Sequence, residues 1–137
     1  MSENIESVFR KISGDKEVQL KSTVLHKADL SARLIYSAKF IDCDFRGTYF
    51  SESIFINCEF IACSLITAVF FKSTFINCTF KDSNMRHVIF GESFMKDCSF
   101  YGNDIFMADF SRCKLLDVQC GEDNLGDPII NDMKIFD

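Results

Sequence analysis

No stretch of this 137-residue chain holds the ~20 consecutive apolar residues that a membrane-spanning helix needs. The longest apolar run, LITAVFF at 65–71, is already interrupted by Thr67. The N-terminus carries Glu3, Glu6 and Arg10 where a secretion signal needs an apolar core, so a cytoplasmic protein is expected. Basic excess is missing as well. Residues 1–37 hold six Lys/Arg against five acids (+1), residues 38–117 eight against ten (-2), and residues 118–137 one against five (-4), which sums to the net charge of -5. Direct nucleic-acid binding needs a concentrated basic face, and none is encoded.

Catalytic signatures are equally scarce. There is no nucleophile elbow, phosphate loop or H-E-x-x-H motif. The two histidines, His26 and His87, have no Cys or His at ligand spacing around them. Pairs such as Asp42 with Asp44, or Asp82 with Glu92, have the residue types of general acid/base catalysis, yet charged pairs outside a cleft are ordinarily surface groups. No catalytic residue, cofactor or metal site is therefore assigned. Seven cysteines, an odd number in a chain without a secretion signal, indicate reduced thiols over a disulfide framework. Apolar residues make up 47% and charged ones 26%, the composition of one folded domain with a real core.

What is present is repetition. FINCEF at 55–60 returns as FINCTF at 75–80, twenty residues later. Reading every fifth residue from Leu20 to Ile135 gives 24 positions, all apolar, in a chain that is less than half apolar. Two residues before each lies a second column: Ala38, Cys43, Thr48, Ser53, Cys58, Cys63 and Ala68 are all small, and the pattern holds through Cys98. It relaxes at Asn103, recovers at Ala108 and Cys113, and fails at Asp123 and Pro128. A period of five matches neither a helix at 3.6 nor a strand at 2. It suits a chain that turns a corner every five residues and sends one large and one small side chain inward per pentad. Four corners close a square coil of 20 residues, which is why FINCEF recurs: the two copies are the same side of successive coils.

The pentads ADLSA at 28–32, CDFRG at 43–47 and ADFSR at 108–112 resemble the A(D/N)Lxx pattern of the pentapeptide-repeat family, over roughly residues 18–117. That resemblance implies an all-β fold, a right-handed quadrilateral β-helix of about five coils spaced at the β-strand distance. The fold expected in full is this solenoid over 18–119, with an N-terminal helical cap over 1–17 and a capping or dimerisation segment over 120–137. Residues 2–14 read as a helix through Ile5, Val8, Phe9 and Ile12, with Ser2 as N-cap and Gly14 as stop. Residues 127–136 read as a second one, with Asp127 as N-cap, Pro128 at the first helical position, and Ile129, Ile130, Met133 and Phe136 as contacts. This tail either caps the rod or dimerises it.

Positions twenty apart form vertical columns, which assign eleven of the 16 phenylalanines to the interior. Stacked rings leave no room for a ligand. Six cysteines (Cys43, Cys58, Cys63, Cys78, Cys98 and Cys113) occupy the small inward position. Thiols in one parallel column cannot converge on a tetrahedral ion, so they read as small core residues and not as a metal site.

Function is then left to the outward positions, and these are uneven. The side carrying Phe55 and Phe75 is flanked by Leu34, Tyr36, Ile54, Ile56, Ile76 and Phe94; its neighbour by Tyr49, Val69, Phe71 and Ile89. The side carrying Leu65 and Met85 shows Asp44, Arg46, Ser64, Ile66, Asn84, Arg86 and Asp104. One half of the rod is greasier than a monomer ordinarily leaves in water. The expected interface is Tyr36, Tyr49, Ile54, Ile56, Val69, Phe71, Ile76, Ile89 and Phe94. The function expected is non-enzymatic binding of a protein partner or of a second copy as a homodimer, in a bacterial setting such as toxin immunity or an effector role. The family resemblance implies an alternative, a DNA mimic that binds or protects DNA gyrase. That role calls for a strongly acidic rod, whereas the coils here carry only -2.

Overall fold

A computed structural model describes residues 17–136, and in them each pentad is one side of a square coil. The helix expected over 2–14 lies outside the described residues. Twelve short strands follow in chain order: β1 (Val18–Lys21), β2 (Leu34–Tyr36), β3 (Ala38–Ile41), β4 (Ile54–Ile56), β5 (Glu59–Ile61) and β6 (Thr74–Ile76), then β7 (Thr79–Lys81), β8 (Phe94–Lys96), β9 (Ser99–Tyr101), β10 (Lys114–Leu116), β11 (Gln119–Cys120) and β12 (Lys134–Phe136). Odd-numbered strands stack as one six-stranded parallel sheet and even-numbered strands as another. The register is set by the repeat length: Phe40 pairs with Phe60, Phe60 with Phe80, and Phe55 with Phe75. We number the sides in chain order. The first carries the odd strands and the fourth the even ones. The second and third are joined by single parallel bridges such as Asp44–Ser64 and Tyr49–Val69.

The corners explain the period. Every fifth residue from Ser22 to Asp117 is left-handed, with φ between 51° and 67°. Only two of these twenty are glycine, Gly47 and Gly102. Left-handed backbone costs a non-glycine residue about 1 kcal/mol or more, so something outside the corner must hold it. The next coil does: the corner amides of Lys27, Asn57 and Thr67 donate to the carbonyls of Arg46, Ile76 and Arg86 at 3.0–3.1 Å. On the second and third sides the residue before the large one adds a local turn. Asp29, Asp44, Asn84, Asp104 and Asp109 each accept from the amide two residues on, at 2.8–3.2 Å. This is the physical reason for the D/N in the pentad pattern. Thr67 is the one β-branched corner residue, at φ 58°, a conformation that suits such residues poorly. Thr67→Asn should therefore raise stability by ~0.5–1 kcal/mol in a urea titration, asparagine being at ease in this region; an unchanged midpoint would mean the neighbouring coils absorb the strain.

Inside, phenylalanine rings stack along the rod and meet edge-on across it. Phe40, Phe60, Phe80 and Phe100 lie 4.8–4.9 Å apart, and Phe50, Phe70, Phe90 and Phe110 4.9–5.1 Å apart. Between the columns Phe60 meets Phe70 at 5.9 Å and 84°. Both arrangements are favoured ring geometries. All eleven assigned phenylalanines are buried.

The small inward residues do more than fit. Ser73, Ser93, Cys113 and Asn103 donate to the carbonyls of Phe50, Phe70, Phe90 and Phe80, each 23 residues earlier, at 2.8–3.0 Å. Cys43, Cys58, Cys63, Cys78 and Cys98 do the same at 3.3–3.5 Å. Most places in the column thus hold short donors, with Ala38, Ala68, Val88 and Ala108 the apolar exceptions. Asn103 belongs to it, fully buried, and is no relaxation of the pattern.

The C-terminal part differs from expectation. No helix forms over 127–136; those residues complete a sixth coil whose β12 pairs with β10, Leu115 opposite Ile135. Ile130 and Ile135 keep the pentad phase, and the ready-made edge of the fifth coil outweighs local helical preference. The solenoid continues past residue 119, but not regularly. Gln119 pairs with Ser99 at the usual offset of 20, Asp104 then bridges Leu125 at 21, and Asp109 bridges Ile129 at 20 again. One residue is inserted before Asn124 and one removed after Leu125. The left-handed corner due at 122 is skipped, and the one due at 127 falls a residue early, on Gly126 at φ 86°. Leu125, expected inward, takes the outward place of the Asp104 column. Gly126 backs onto Phe106, where a Cβ would lie 2.8 Å from the Phe106 backbone. The inward place beside Ile105 therefore receives no side chain, leaving an apolar cavity of about 80 Å³ between the last two coils.

Candidate interaction faces

The residues expected to form an interface all sit at outward positions of the third and fourth sides. Tyr49 (49% exposed), Ile54 (42%) and Tyr36 (36%) are open, as is their neighbour Leu34 (43%). Ile56, Val69, Phe71, Ile76, Ile89 and Phe94 are half-buried, because each lies against its equivalents one coil away. Ile56 pairs in register with Ile76, and Val69 bridges Tyr49 and Ile89. Phe71 lies over Gly91, where a Cβ would sit 3.3 Å from the ring, and Lys72 Nζ stands 5.4 Å from its centroid.

The structure brings these residues together as two strips and not as one sheet of grease. A corner column of Ala32, Glu52, Lys72, Glu92 and Arg112 runs between them, with Arg112 and Glu92 3.5 Å apart. The sequence columns held this ridge too, but its meaning depends on knowing that the left-handed residue points out at the edge. Toward the C-terminus the fourth side turns basic, through Lys96, Lys114 and Lys134.

The second side is polar and paired. Asp44 receives Arg46 at 2.8 Å and His26 at 2.6 Å. Burial pushes its carboxyl up, but the Arg46 and His26 hydrogen bonds outweigh it and hold the group down to about 2. Arg86 pairs with Asp104 at 3.1 Å and lies 4.4 Å over the Phe106 ring. His87 occupies a left-handed corner and meets the same ring edge-on. Phe106 and Met107, 39% and 40% exposed, form an apolar spot that the sequence columns did not single out. Asp42 accepts from the Ser22 hydroxyl at 3.1 Å. These acids hold turns and ion pairs.

Among the described residues no group of His, Cys, Asp and Glu side chains is arranged to hold a metal ion. The six inward cysteines are buried and unpaired, and Cys120 alone is exposed. The Cys43 thiol and burial push Cys63 upward, the thiols of Cys58 and Cys98 with burial do the same for Cys78, and burial brings Cys113 up to about 11. Cys63, Cys78 and Cys113 therefore stay protonated at neutral pH, whereas hydrogen bonds with Cys63 and Cys78 shift their column neighbours Cys43, Cys58 and Cys98 downward. No helix among the described residues is long and apolar enough to cross a membrane.

The family model for pentapeptide repeats matches the chain with eight copies, over residues 36–70. Residues 36–70 are thus pentapeptide repeats. Solved structures with similar chain courses include a trypsin-treated variant of QnrB1, a plasmid-mediated fluoroquinolone resistance protein, at 15% identity and a TM-score of 0.48, covering 87% of this chain and 83% of that one. HetL, a pentapeptide-repeat protein involved in heterocyst differentiation regulation from the cyanobacterium Nostoc, is similar at 8% identity and 0.34, covering 96% and 94%. Rfr23 of the cyanobacterium Cyanothece is similar at 12% and 0.27, covering 90% and 63%. No curated protein sequence matches the chain significantly.

Proposed function

We propose that this chain is a non-enzymatic binding module, a rigid rod that presents the apolar strips of its third and fourth sides to a protein partner. The observation that carries the reading is the exposure of four large apolar side chains, Leu34, Tyr36, Tyr49 and Ile54, gathered on two adjacent sides of the first coils. The stacked rings from Phe40 to Phe100 fill the interior of the middle coils. A role in toxin immunity or as an effector would use the same strips.

The Ile56→Asp/Ile76→Asp double variant should keep its fold, since both side chains stand outside the coil, and should lose the partner that the unaltered protein recovers from host lysate. Recovery of the same partner by the folded double variant would remove the strips from the interface. Salt separates this reading from the gyrase-binding DNA mimic: an apolar interface survives ~1 M salt, whereas a charge-driven one weakens steeply.

A further inference from the structure

The two ends of the rod are not alike. In the first described coil the inward residues Leu20, Leu25, Leu30 and Ile35 are at most 5% exposed. In the last, Ile130 and Ile135 are 54% and 68% exposed, and Cys120 is open beside them. The register slip at residues 121–126 deepens this open end into the cavity of about 80 Å³, walled by Phe100, Ile105, Phe110, Leu115, Ile130 and Met133. One water needs about 10–15 Å³, and a cavity with such walls offers water no partners, so it favours an apolar group. Asn124, the one polar side chain at its wall, is already committed: its Nδ2 donates to the Phe100 and Gly121 carbonyls and its Oδ1 accepts from Asn103.

We propose that this end is a socket for one aliphatic anchor side chain of a protein partner whose flanking residues are basic. The size and walls of the cavity ask for a side chain such as Leu or Ile. The backbone asks for a polypeptide, because β11 and β12 close their sheets and offer free strand edges on either side of the socket. The charge asks for Lys or Arg away from β12: residues 118–136 hold Glu122, Asp123, Asp127 and Asp132 against Lys134, a balance of -3, and only the fourth side, through Lys96, Lys114 and Lys134, is basic. A second copy docked end to end would set that excess against itself. A basic partner is attracted to it.

The test is titration of the 15N-labelled protein with a nine-residue peptide that has a central Leu and two lysines on each side, beside its central-Gly counterpart. The Leu peptide should shift the amides of Ile105, Cys120, Asn124, Ile130 and Met133, and should bind at least about ten-fold more tightly than the Gly peptide. Ile105→Phe fills the socket from within and should abolish that preference while keeping the fold. Ile130→Asp, at the open mouth, should weaken the Leu peptide even though it adds negative charge, which separates anchoring from general attraction to an acidic protein. Equal affinity for the two peptides, shifts spread over the lateral sides, or no shifts would overturn the proposal. So would a concentration-dependent dimer that either variant dissolves, since the end would then belong to a second copy.

Discussion

Phe70→Ala should destabilise the rod by about 3–5 kcal/mol, a loss large enough to threaten folding at moderate temperature. Phe70 is fully buried at the centre of the interior, stacked 4.9 Å from Phe50 and 5.0 Å from Phe90. It also meets Phe55, Phe60, Phe75 and Phe80 edge-on at 5.4–6.3 Å. Alanine would lose the ring's transfer energy and leave a hole between coils that cannot close, because the coil spacing is fixed by the ladder of backbone hydrogen bonds on all four sides. In a solenoid each coil touches only its neighbours, so a mid-rod hole also weakens the coupling of the two halves. The urea transition should move to lower denaturant and flatten, with circular dichroism and tyrosine fluorescence no longer coinciding. Phe110→Ala supplies the comparison. That ring already borders the open cavity and is 8% exposed, so its loss should cost at least ~1 kcal/mol less. Equal costs at the two positions would mean that the interior relaxes as freely in mid-rod as at its end.

The interior was legible from residues alone because its signal is additive. Twenty-four in-phase apolar positions admit one arrangement, and each ring fell in its column. The end was illegible for the opposite reason. Asp123 and Pro128 broke the small column, and Ile129, Ile130, Met133 and Phe136 happened to fit a helical face. Local preference and coil phase were then in conflict, and the exposed edge of β10 decided it. The slip at Gly126 depends on two compensating one-residue changes, which cancel in any fixed-period reading. Leu125 looked inward by phase and is outward in fact. The apolar strips were readable as columns, while the charged ridge that divides them needed the corner geometry.

Asn103→Ala should cost about 2–4 kcal/mol, although it removes no apolar contact of consequence. Asn103 is fully buried, and three partners depend on it. Its Oδ1 accepts the Ser83 amide at 3.0 Å, and its Nδ2 donates to the Phe80 carbonyl at 2.9 Å and to Asn124 Oδ1 at 3.1 Å. Alanine strands a buried amide and removes a donor from a buried carbonyl, and the penalty is the desolvation of those groups without a partner. The same column supplies its own control. Ser83 accepts the Cys63 amide at 3.1 Å and donates to the Phe60 carbonyl at 3.4 Å, the role Asn103 plays one coil later. Asn103→Ser should therefore recover more than half of what Asn103→Ala loses, and Asn103→Val, which fills the space without a polar atom, should recover little. If valine rescued stability as well as serine does, the column would be selected for size alone, and the donor rule that explains its cysteines, serines and asparagines would fail. If serine alone rescues, the sixth coil is held on by this polar thread, and with it the open end that the rod offers to a partner.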